Sequence, residues 1–286
     1  MSKIGLICEG GGTKAAYTAG VLECFLDQDI EFPYAAGISA GAFCLLSYVS
    51  KQKDRLRVTG VDSTARKEAV GLYPILHERA VFGINSTYDF VEEKVPLDIK
   101  TFRENPCELE MGLYNIETGK VEYFNKQQYS EDGLIVKAAC ALLMLTHPVK
   151  INGKRYMDGG LVDMIPIEQA LRNDCKGVVF ISTKEENYVR KPAPKWQMCL
   201  ARILFRKEPY IAKDLSVRHE NYHKQWNKVK ELEKENRALI LRPSMDMGIT
   251  RYTTDGEKLG KWYDLGYKDT LKRIDEIRSF MNEIKE

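Results

Sequence analysis

The sequence predicts an α/β fold built around a mostly parallel sheet. Two strand–turn–helix units lie within the first fifty residues, and each begins with a short, mostly apolar segment that suits a buried strand. A further apolar run, Gly177–Thr183, reads as a buried parallel strand. The chain has 286 residues, of which 44% are hydrophobic, so it is long enough for one large α/β domain or two small ones.

The first unit is a strand, a glycine loop and a helix. Lys3–Cys8 is the predicted strand, Glu9–Lys14 (EGGGTK) is the loop, and Ala15–Leu26 has the apolar spacing of a helix. Bare backbone N–H groups next to a helix N-terminus form an anion-binding design. The anion could be the oxyanion of an acyl-transfer intermediate. It could also be the phosphate of a dinucleotide, with Glu31 as the ribose-binding acid.

The second unit carries a serine at its turn. Gly37–Gly41 reads G-x-S-x-G between a predicted strand, Phe32–Ile38, and a predicted helix, Ala40–Val49. This is the pattern of a nucleophile elbow, in which Ser39 stands at the apex of a sharp turn. A glycine-rich turn whose serine only caps the helix has the same pattern. Since both turns emerge at the carboxyl edge of a parallel sheet, we expect the serine and the glycine loop to face one crevice.

The middle and end of the chain supply further elements. We expect short helices at Tyr73–Glu78 and Thr87–Val95, a hairpin of Cys107–Asn115 and Lys120–Phe124, a buried helix at Leu134–Leu145, a hairpin within Pro148–Gly160, a buried strand at Ala238–Arg242 and a last helix at Tyr267–Ile284. Asp158-Gly159-Gly160 follows the second hairpin, where a carboxylate can be held at a tight turn with nothing bulky above it. An aspartate that only bonds its own backbone is the alternative.

A basic helical segment lies between the last two predicted strands, at about 184–237. From Lys184 to Arg242 there are 15 Lys and Arg against 8 Asp and Glu. One helix here has an apolar face flanked by basic residues. The apolar face comprises Trp196, Cys199, Leu200, Ile203 and Leu204, and the flanking residues are Lys195, Arg202, Arg206 and Lys207. Such a helix either rests on anionic lipid or packs this face into the core.

Charge and cysteine content limit the class of protein. Charged residues make up 29% of the chain and the net charge is +2, a balance that does not point to nucleic acid. No stretch approaches the roughly 18 apolar residues of a membrane span, and Ile4–Cys8 is too short for the apolar region of a signal peptide. The seven cysteines are scattered singly, which is typical of reduced thiols in a cytosolic protein. We therefore expect a cytoplasmic protein, at most peripheral to the inner membrane face.

A serine hydroxyl is a poor nucleophile until a base takes its proton, and two kinds of base are present. A histidine of a triad is one kind, for which His147, His219 and His223 are candidates. Asp158 bonded directly to Ser39 is the other. Because an aspartate is a weak base, that dyad would depend on partial desolvation and on an oxyanion hole.

One further motif points to a metal. His219–His223 (HENYH) matches H-E-x-x-H, in which two histidines bind zinc and the glutamate acts as a base. Arg218 and Lys224 flank the motif, so we expect a solvent-facing helix, and no separate third ligand stands out. We therefore expect neither a metal nor a cofactor.

Taken together, these motifs resemble the patatin-like phospholipase family, in particular its bacterial branch. The family pattern is an acidic residue with three glycines and then a basic residue, next G-x-S-x-G, and later D-G-[AG]. Here the three blocks stand in that order as Glu9–Lys14, Gly37–Gly41 and Asp158–Gly160. The resemblance spans nearly the whole chain and implies a three-layer α/β/α fold. It also implies a single domain over residues 1–286, with the basic helical insertion at about 184–237.

The resemblance implies roles for particular residues. Ser39 would be the nucleophile and Asp158 the base of a Ser–Asp dyad. The oxyanion hole would comprise the loop of Gly10, Gly11 and Gly12 together with Ala40, and the motif glycines would be Gly37, Gly41, Gly159 and Gly160. The implied activity is hydrolysis of a lipid acyl ester through an acyl-enzyme, with contact to anionic membrane through the basic helices. A nucleotide-binding oxidoreductase and a lipid-binding protein with little turnover remain alternatives.

Overall fold

A central eight-stranded sheet organises the fold, and the computed structural model describes residues 2–285. The strands are β1 (Lys3–Cys8), β2 (Tyr34–Ile38), β3 (Glu108–Asn115), β4 (Lys120–Asn125), β5 (Val149–Ile151), β6 (Lys154–Asp158), β7 (Cys175–Ile181) and β8 (Ala238–Leu241). Their order is β5-β6-β3-β2-β1-β7-β8. Strands β2 and β6 pair with successive parts of one edge of β3, and β4 pairs with the opposite edge. β1, β2, β3, β7 and β8 run parallel, whereas β4, β5 and β6 are antiparallel to their neighbours. The predicted mostly parallel sheet is confirmed.

Helices cover both faces of this sheet. They are α1 (Ala15–Asp27), α2 (Ala40–Val49), α3 (Lys53–Arg57), α4 (Leu72–His77), α5 (Ile84–Lys94), α6 (Ile99–Glu104), α7 (Leu134–Ala139), α8 (Ile167–Arg172), α9 (Lys195–Leu204), α10 (Pro209–Lys234), α11 (Gly256–Lys272) and α12 (Ile274–Lys285). Successive side chains of β1 enter different cores: Leu6 joins Trp262 of α11, and Ile7 joins Tyr222 of α10. The three-layer α/β/α arrangement is therefore confirmed.

Two predicted helices differ in extent from the observed ones. The apolar run 134–145 is not one buried helix, because α7 ends at Ala139 and the chain then turns, with Met144 at a φ of 65°. The residues after α7 form a loop. Leu142 in this loop lines two neighbouring cavities of the protein, and the carbonyl of Leu145 accepts a hydrogen bond from the N–H of Val81. Apolar character here reflects cavity lining and not a helix interior.

The predicted last helix is in fact a pair, α11 and α12. The chain breaks at Arg273, whose backbone leaves the helical region and whose Nη1 donates to the carbonyl of Ile240 at 2.6 Å. That bond ties the break to the end of β8. Periodicity alone did not reveal it, because the apolar spacing continues across Arg273.

Helix α9 presents its apolar face to solvent. Trp196 and Ile203 are each 64% exposed, and Ala201 is the buried residue of this helix. The interpretation of this face as core is therefore wrong. Within residues 2–285, no helix is both long and apolar enough to cross a bilayer.

Candidate active site

The turn between β2 and α2 places Ser39 in an unusual backbone conformation. Its φ is 56° and its ψ is −136°, a region that L-residues rarely occupy. The flanking glycines allow the turn, since a Cβ at Gly37 would lie 2.6 Å from the Cα of Ala42. A Cβ at Gly41 would lie 2.6 Å from the carbonyl oxygen of Glu9. The serine is thus held at the apex of a tight turn between the sheet and α2.

Strand β3 brings Asp158 next to this turn. Along one edge of β3, β2 pairs as far as Ile38, which lies opposite Gly112. Strand β6 pairs antiparallel along the rest of that edge and ends with Asp158 opposite Leu113. The ends of β2 and β6 therefore meet at consecutive residues of β3. Ser39 and Asp158 are each 6% exposed and line the same cavity.

The carboxylate of Asp158 is buried but not isolated. Burial raises its pKa, whereas the neighbouring Ser39 hydroxyl, the N–H of Gly160 and the charges of Arg218 and Arg251 lower it, and the net shift is upward. The Gly160 N–H donates to Asp158 Oδ1 at 2.7 Å. Asp158 thus accepts a hydrogen bond from its own turn and also lies beside Ser39. The interpretation as a turn aspartate is therefore compatible with the interpretation as a base for the serine. The balance favours a carboxylate that can accept a proton more readily than an exposed one.

The glycine loop lies directly beside Ser39. A Cβ at Gly10 would be 2.6 Å from the Cβ of Ser39, so only glycine permits this approach. Among residues 2–285, the N–H groups of Gly11, Gly12 and Ala40 have no hydrogen-bond acceptor. N–H groups held ready next to a nucleophile can stabilise negative charge that develops on a substrate oxygen.

Glu9 anchors the glycine loop to the end of β7, a role that the motif alone did not reveal. Its side chain is buried, and Oε1 accepts hydrogen bonds from Ser182 Oγ and the N–H of Thr183, both at 2.6 Å. Lys184 Nζ lies 3.5 Å from the same oxygen. Burial lowers the pKa of Lys184 to about 8, although Glu9 opposes the shift. The acidic residue of the motif therefore holds the loop in place.

Two cavities of different character meet at Ser39. The first encloses about 760 Å³ including its open mouth and is mostly apolar. Its walls include Ala40, Phe43, Val70, Phe82, Ile84, Val136 and Leu142. The second, of about 740 Å³, contains the glycine loop, Ser39 and Asp158. It is strongly basic, with Lys14, Lys184, Arg190, Arg218 and Arg251 in its walls. An elongated ester could place its hydrocarbon and its polar part on opposite sides of Ser39.

Arg218 is a site residue that the sequence analysis placed in solvent, and this was wrong. Its Nε donates to the carbonyl of Gly160 at 2.6 Å, and its side chain lines the basic cavity. A signal was present in the sequence: Leu215, Tyr222 and Val229 recur every seven residues and are all buried. Arg218 lies between them on the inner face of α10.

The alternative bases lie outside the two cavities. His147 Nε2 is 3.0 Å from the carbonyl of Arg79, and His223 Nε2 is 3.1 Å from that of Arg190. Neither these residues nor His219 lines either cavity at Ser39. Across the part of the chain that the structure describes, no three His, Cys, Asp or Glu side chains are grouped so that they could hold a metal ion.

The assignment of Glu31 as a ribose-binding acid is wrong. β1 and β2 pair in parallel with Gly5 opposite Tyr34 and Cys8 opposite Gly37, so the glycine loop follows one end of this pair. Glu31 precedes β2 at the other end, where its carboxylate pairs with Lys51. A ribose-binding acid would have to lie at the loop end of the strands.

Comparison with known proteins bears on both the fold and the family. The structure resembles the crystal structure of VipD from Legionella pneumophila, with a TM-score of 0.52 over 96% of this chain and 67% of that chain, at 14% sequence identity. At that identity the similarity concerns the fold alone. In sequence, the chain is 26% identical over 188 residues to the uncharacterized protein YjjU of Escherichia coli (strain K12), and the aligned region covers 63% of this chain. The chain spans about half, 52%, of the length of that relative.

Two family profiles match separate parts of the chain. A domain of unknown function, DUF6363, matches residues 208–282, which contain α10, β8, α11 and most of α12. The profile described as patatin-like phospholipase matches residues 6–171, more than half of the chain. That match includes the glycine loop, the G-x-S-x-G turn and Asp158-Gly159-Gly160. The chain therefore belongs to the patatin-like phospholipase family.

Proposed function

We propose that this protein is a serine lipid acyl hydrolase that acts on carboxylic esters through a Ser–Asp dyad. One observation carries the proposal: β3 aligns the ends of β2 and β6, so that the Ser39 hydroxyl and the Asp158 carboxylate share one cavity. Family membership supports the same activity. No resident metal or cofactor is part of the proposal.

In this mechanism Asp158 takes the proton of the Ser39 hydroxyl as Ser39 Oγ bonds to the acyl carbonyl carbon. Negative charge on the carbonyl oxygen is stabilised by the N–H groups of Gly11, Gly12 and Ala40, with Gly10 shaping the loop. The bond to the alcohol then breaks, and Asp158 returns the proton to the leaving oxygen. Water attacks the acyl-enzyme by the same steps and releases the acid.

The apolar cavity supports a lipid as the acyl donor. Its walls are mainly hydrocarbon and aromatic, and Ser39 is part of them, so a fatty acyl chain can lie there with its carbonyl at the nucleophile. The acid that would bind the ribose of a dinucleotide is not beside the glycine loop, since Glu31 lies at the far end of the strands. We therefore favour acyl hydrolysis over nucleotide-dependent oxidoreduction.

We also propose that the protein works at an anionic membrane surface from the cytoplasmic side. Helix α9 exposes its apolar face beside four basic residues, a combination that suits insertion between anionic headgroups. A bridge between Val70 and Phe82, which line the apolar cavity, closes a loop around α4, and α4 exposes Leu72 and Leu76. The loop whose two ends line the cavity that would take the acyl chain thus carries exposed apolar side chains.

The central test is covalent labelling. The purified protein should react with a fluorophosphonate probe and hydrolyse a medium-chain p-nitrophenyl ester. Ser39→Ala should abolish both, since the probe needs the serine oxygen. Ser47→Ala is a matched control, because Ser47 lies buried two turns further along α2 and lines neither cavity. Persistent hydrolysis by the Ser39 variant would rule out the assignment, and labelling without turnover would favour a lipid-binding protein.

A further inference from the structure

The walls of the basic cavity contain three arginines that form no ion pair within the part of the chain that the structure describes, although Glu9 and Asp158 lie in the same walls. Lys14 pairs with Glu185 at 3.0 Å and Lys184 lies 3.5 Å from Glu9, so the two lysines are at least partly neutralised. Among residues 2–285, no carboxylate forms an ion pair with the three arginines of the cavity, Arg190, Arg218 and Arg251. We call these three residues the arginine site.

The arginines repel one another at this site. Burial, and after it the charges of Arg190 and Arg251, lower the pKa of Arg218 to about 9, although the Asp158 carboxylate opposes the shift. Burial also lowers the pKa of Arg190, and Arg251 contributes to the shift. Positive charges that are held together in a half-buried wall are stabilised when an anion binds between them. Arginine is also the side chain best suited to phosphate, because its planar fork forms two parallel hydrogen bonds.

Other parts of the fold hold the arginines in position. The guanidinium of Arg190 lies 5.4 Å from the ring centre of Tyr222, and Arg218 Nε bonds the carbonyl of Gly160. The backbone carbonyl of Arg251 accepts the N–H of Thr13, next to the glycine loop. The site is therefore built from three separate segments of the chain. It is connected to the turn after Asp158 through Gly160 and to the glycine loop through Thr13.

The position of the arginine site relative to Ser39 identifies which part of a substrate it would meet. The apolar cavity would hold the acyl chain, so the alcohol part of the ester extends into the basic cavity. We propose that the arginine site binds a phosphate group on this alcohol part. The preferred substrate is then an acyl ester of a phosphorylated alcohol whose phosphate carries no cationic group. This inference rests on the proposed acyl hydrolase function and adds the substrate class.

The test compares kcat/KM for two soluble esters that differ only in the phosphate, octanoylglycerol 3-phosphate and octanoylglycerol. Each is used below its critical micelle concentration. Monomeric substrates remove any contribution from attraction to a charged lipid surface. We expect kcat/KM to favour the phosphorylated ester by at least about tenfold, the scale of a charged hydrogen bond. Arg190→Gln and Arg251→Gln should each reduce that preference by up to about tenfold, which brings the ratio of the two kcat/KM values close to one. Arg103→Gln, which removes an exposed arginine on α6, should leave the preference unchanged.

A binding measurement separates this inference from the proposed function. With the Ser39→Ala variant, calorimetry should give a lower dissociation constant for octanoylglycerol 3-phosphate than for octanoylglycerol. Adding Arg251→Gln to this variant should raise the dissociation constant of the phosphorylated ester. Inorganic phosphate should raise KM for the phosphorylated ester without changing kcat. Probe labelling and hydrolysis with no preference for phosphate would overturn the arginine site and leave the hydrolase standing. Binding of inorganic phosphate without that preference would assign the site to a free anion and also overturn the inference.

Discussion

Ser39 and Asp158 are both held by their surroundings in states that an isolated residue would avoid. The backbone of Ser39, with φ at 56°, costs about 1–3 kcal/mol, and the glycines on either side make room for it. Asp158 is a buried carboxylate whose desolvation is only partly compensated, by the N–H of Gly160 at 2.7 Å and the neighbouring Ser39 hydroxyl, so that its pKa stays raised. Such costs are typical of sites where geometry serves a reaction.

At the residue scale, we predict that Asp158→Asn lowers kcat about 10²–10⁴-fold, since the amide cannot accept the serine proton. Initial rates with a p-nitrophenyl ester measure the effect. Asp163→Asn is the matched control, because Asp163 is a half-buried aspartate, five residues along, that accepts a hydrogen bond from Tyr123 and lines neither cavity at Ser39. Activity of Asp158→Asn close to that of the unchanged protein would exclude Asp158 as the base.

The same carboxylate should set the acid limit of activity. Asp158 must be ionised to take a proton, so kcat/KM rises with pH through its pKa and is lost below it. Because burial raises that pKa, the limit should lie above the usual range of an aspartate. Arg218→Gln removes a charge that lowers the pKa and should shift the limit to higher pH. A pH–rate profile with no such shift would contradict the coupling.

At the scale of elements, α1 and α11 approach so closely that only glycine fits between them. A Cβ at Gly20 of α1 would lie 2.0 Å from the carbonyl oxygen of Tyr263. A Cβ at Gly266 of α11 would lie 2.2 Å from the carbonyl oxygen of Tyr17. Reciprocal glycines thus set the distance between a helix that follows the glycine loop and a helix near the C-terminal end.

We predict that Gly266→Ala destabilises the protein by about 3 kcal/mol, because backbone must move to admit the methyl group. Gly260→Ala on the same helix is the matched control: its Cβ would lie 3.5 Å from Arg57 Nη2, an ordinary contact. Alanine there should be neutral or stabilise the helix by up to about 1 kcal/mol. Urea denaturation followed by circular dichroism measures both variants. Equal stability of the two would show that the helices can separate at little cost.

At the scale of the whole molecule, the C-terminal region completes the site. Trp262 of α11 is fully buried, and its Nε1 donates to the carbonyl of Lys14 at 2.9 Å. Thr13 Oγ1 donates to the carbonyl of Thr250 at 2.9 Å, and Arg218 and Arg251 line the basic cavity. We therefore propose that residues 1–286 form one domain, with the basic helices at about 184–237 as an insertion.

The exposed apolar face of α9 is expected to contact the membrane. We predict that replacing Trp196 and Ile203 of α9 together by serine lowers the partition coefficient of the protein onto vesicles containing anionic lipid at least about tenfold, about 1.4 kcal/mol. Flotation of protein with vesicles measures it. Leu271→Ser, on an exposed part of α11, is the matched control and should bind normally. Unchanged binding of the double variant would exclude α9 as the contact.

How far the sequence could predict this structure differs between its parts. The sheet strands and the first two helices were predicted to within about two residues, because buried strands and glycine turns carry strong local signals. The helix after Leu134 was predicted too long, since an apolar run looks the same whether it fills a helix interface or lines a cavity. Arg218 was misplaced because its own charge and its charged neighbour Lys224 suggested solvent, whereas the sign of burial lay in the seven-residue spacing of Leu215, Tyr222 and Val229.

The fold class and the three motifs could be predicted from the sequence alone, since these depend on short-range patterns of apolar residues and glycines. The grouping of side chains in one cavity could not. The pairing of β3 with both β2 and β6 sets Ser39 beside Asp158. The contact of Arg218 on α10 with Gly160, and that of the loop at Arg251 with Thr13, bring arginines into the same cavity. Strand register and helix docking are set by contacts between distant segments, which local patterns do not encode.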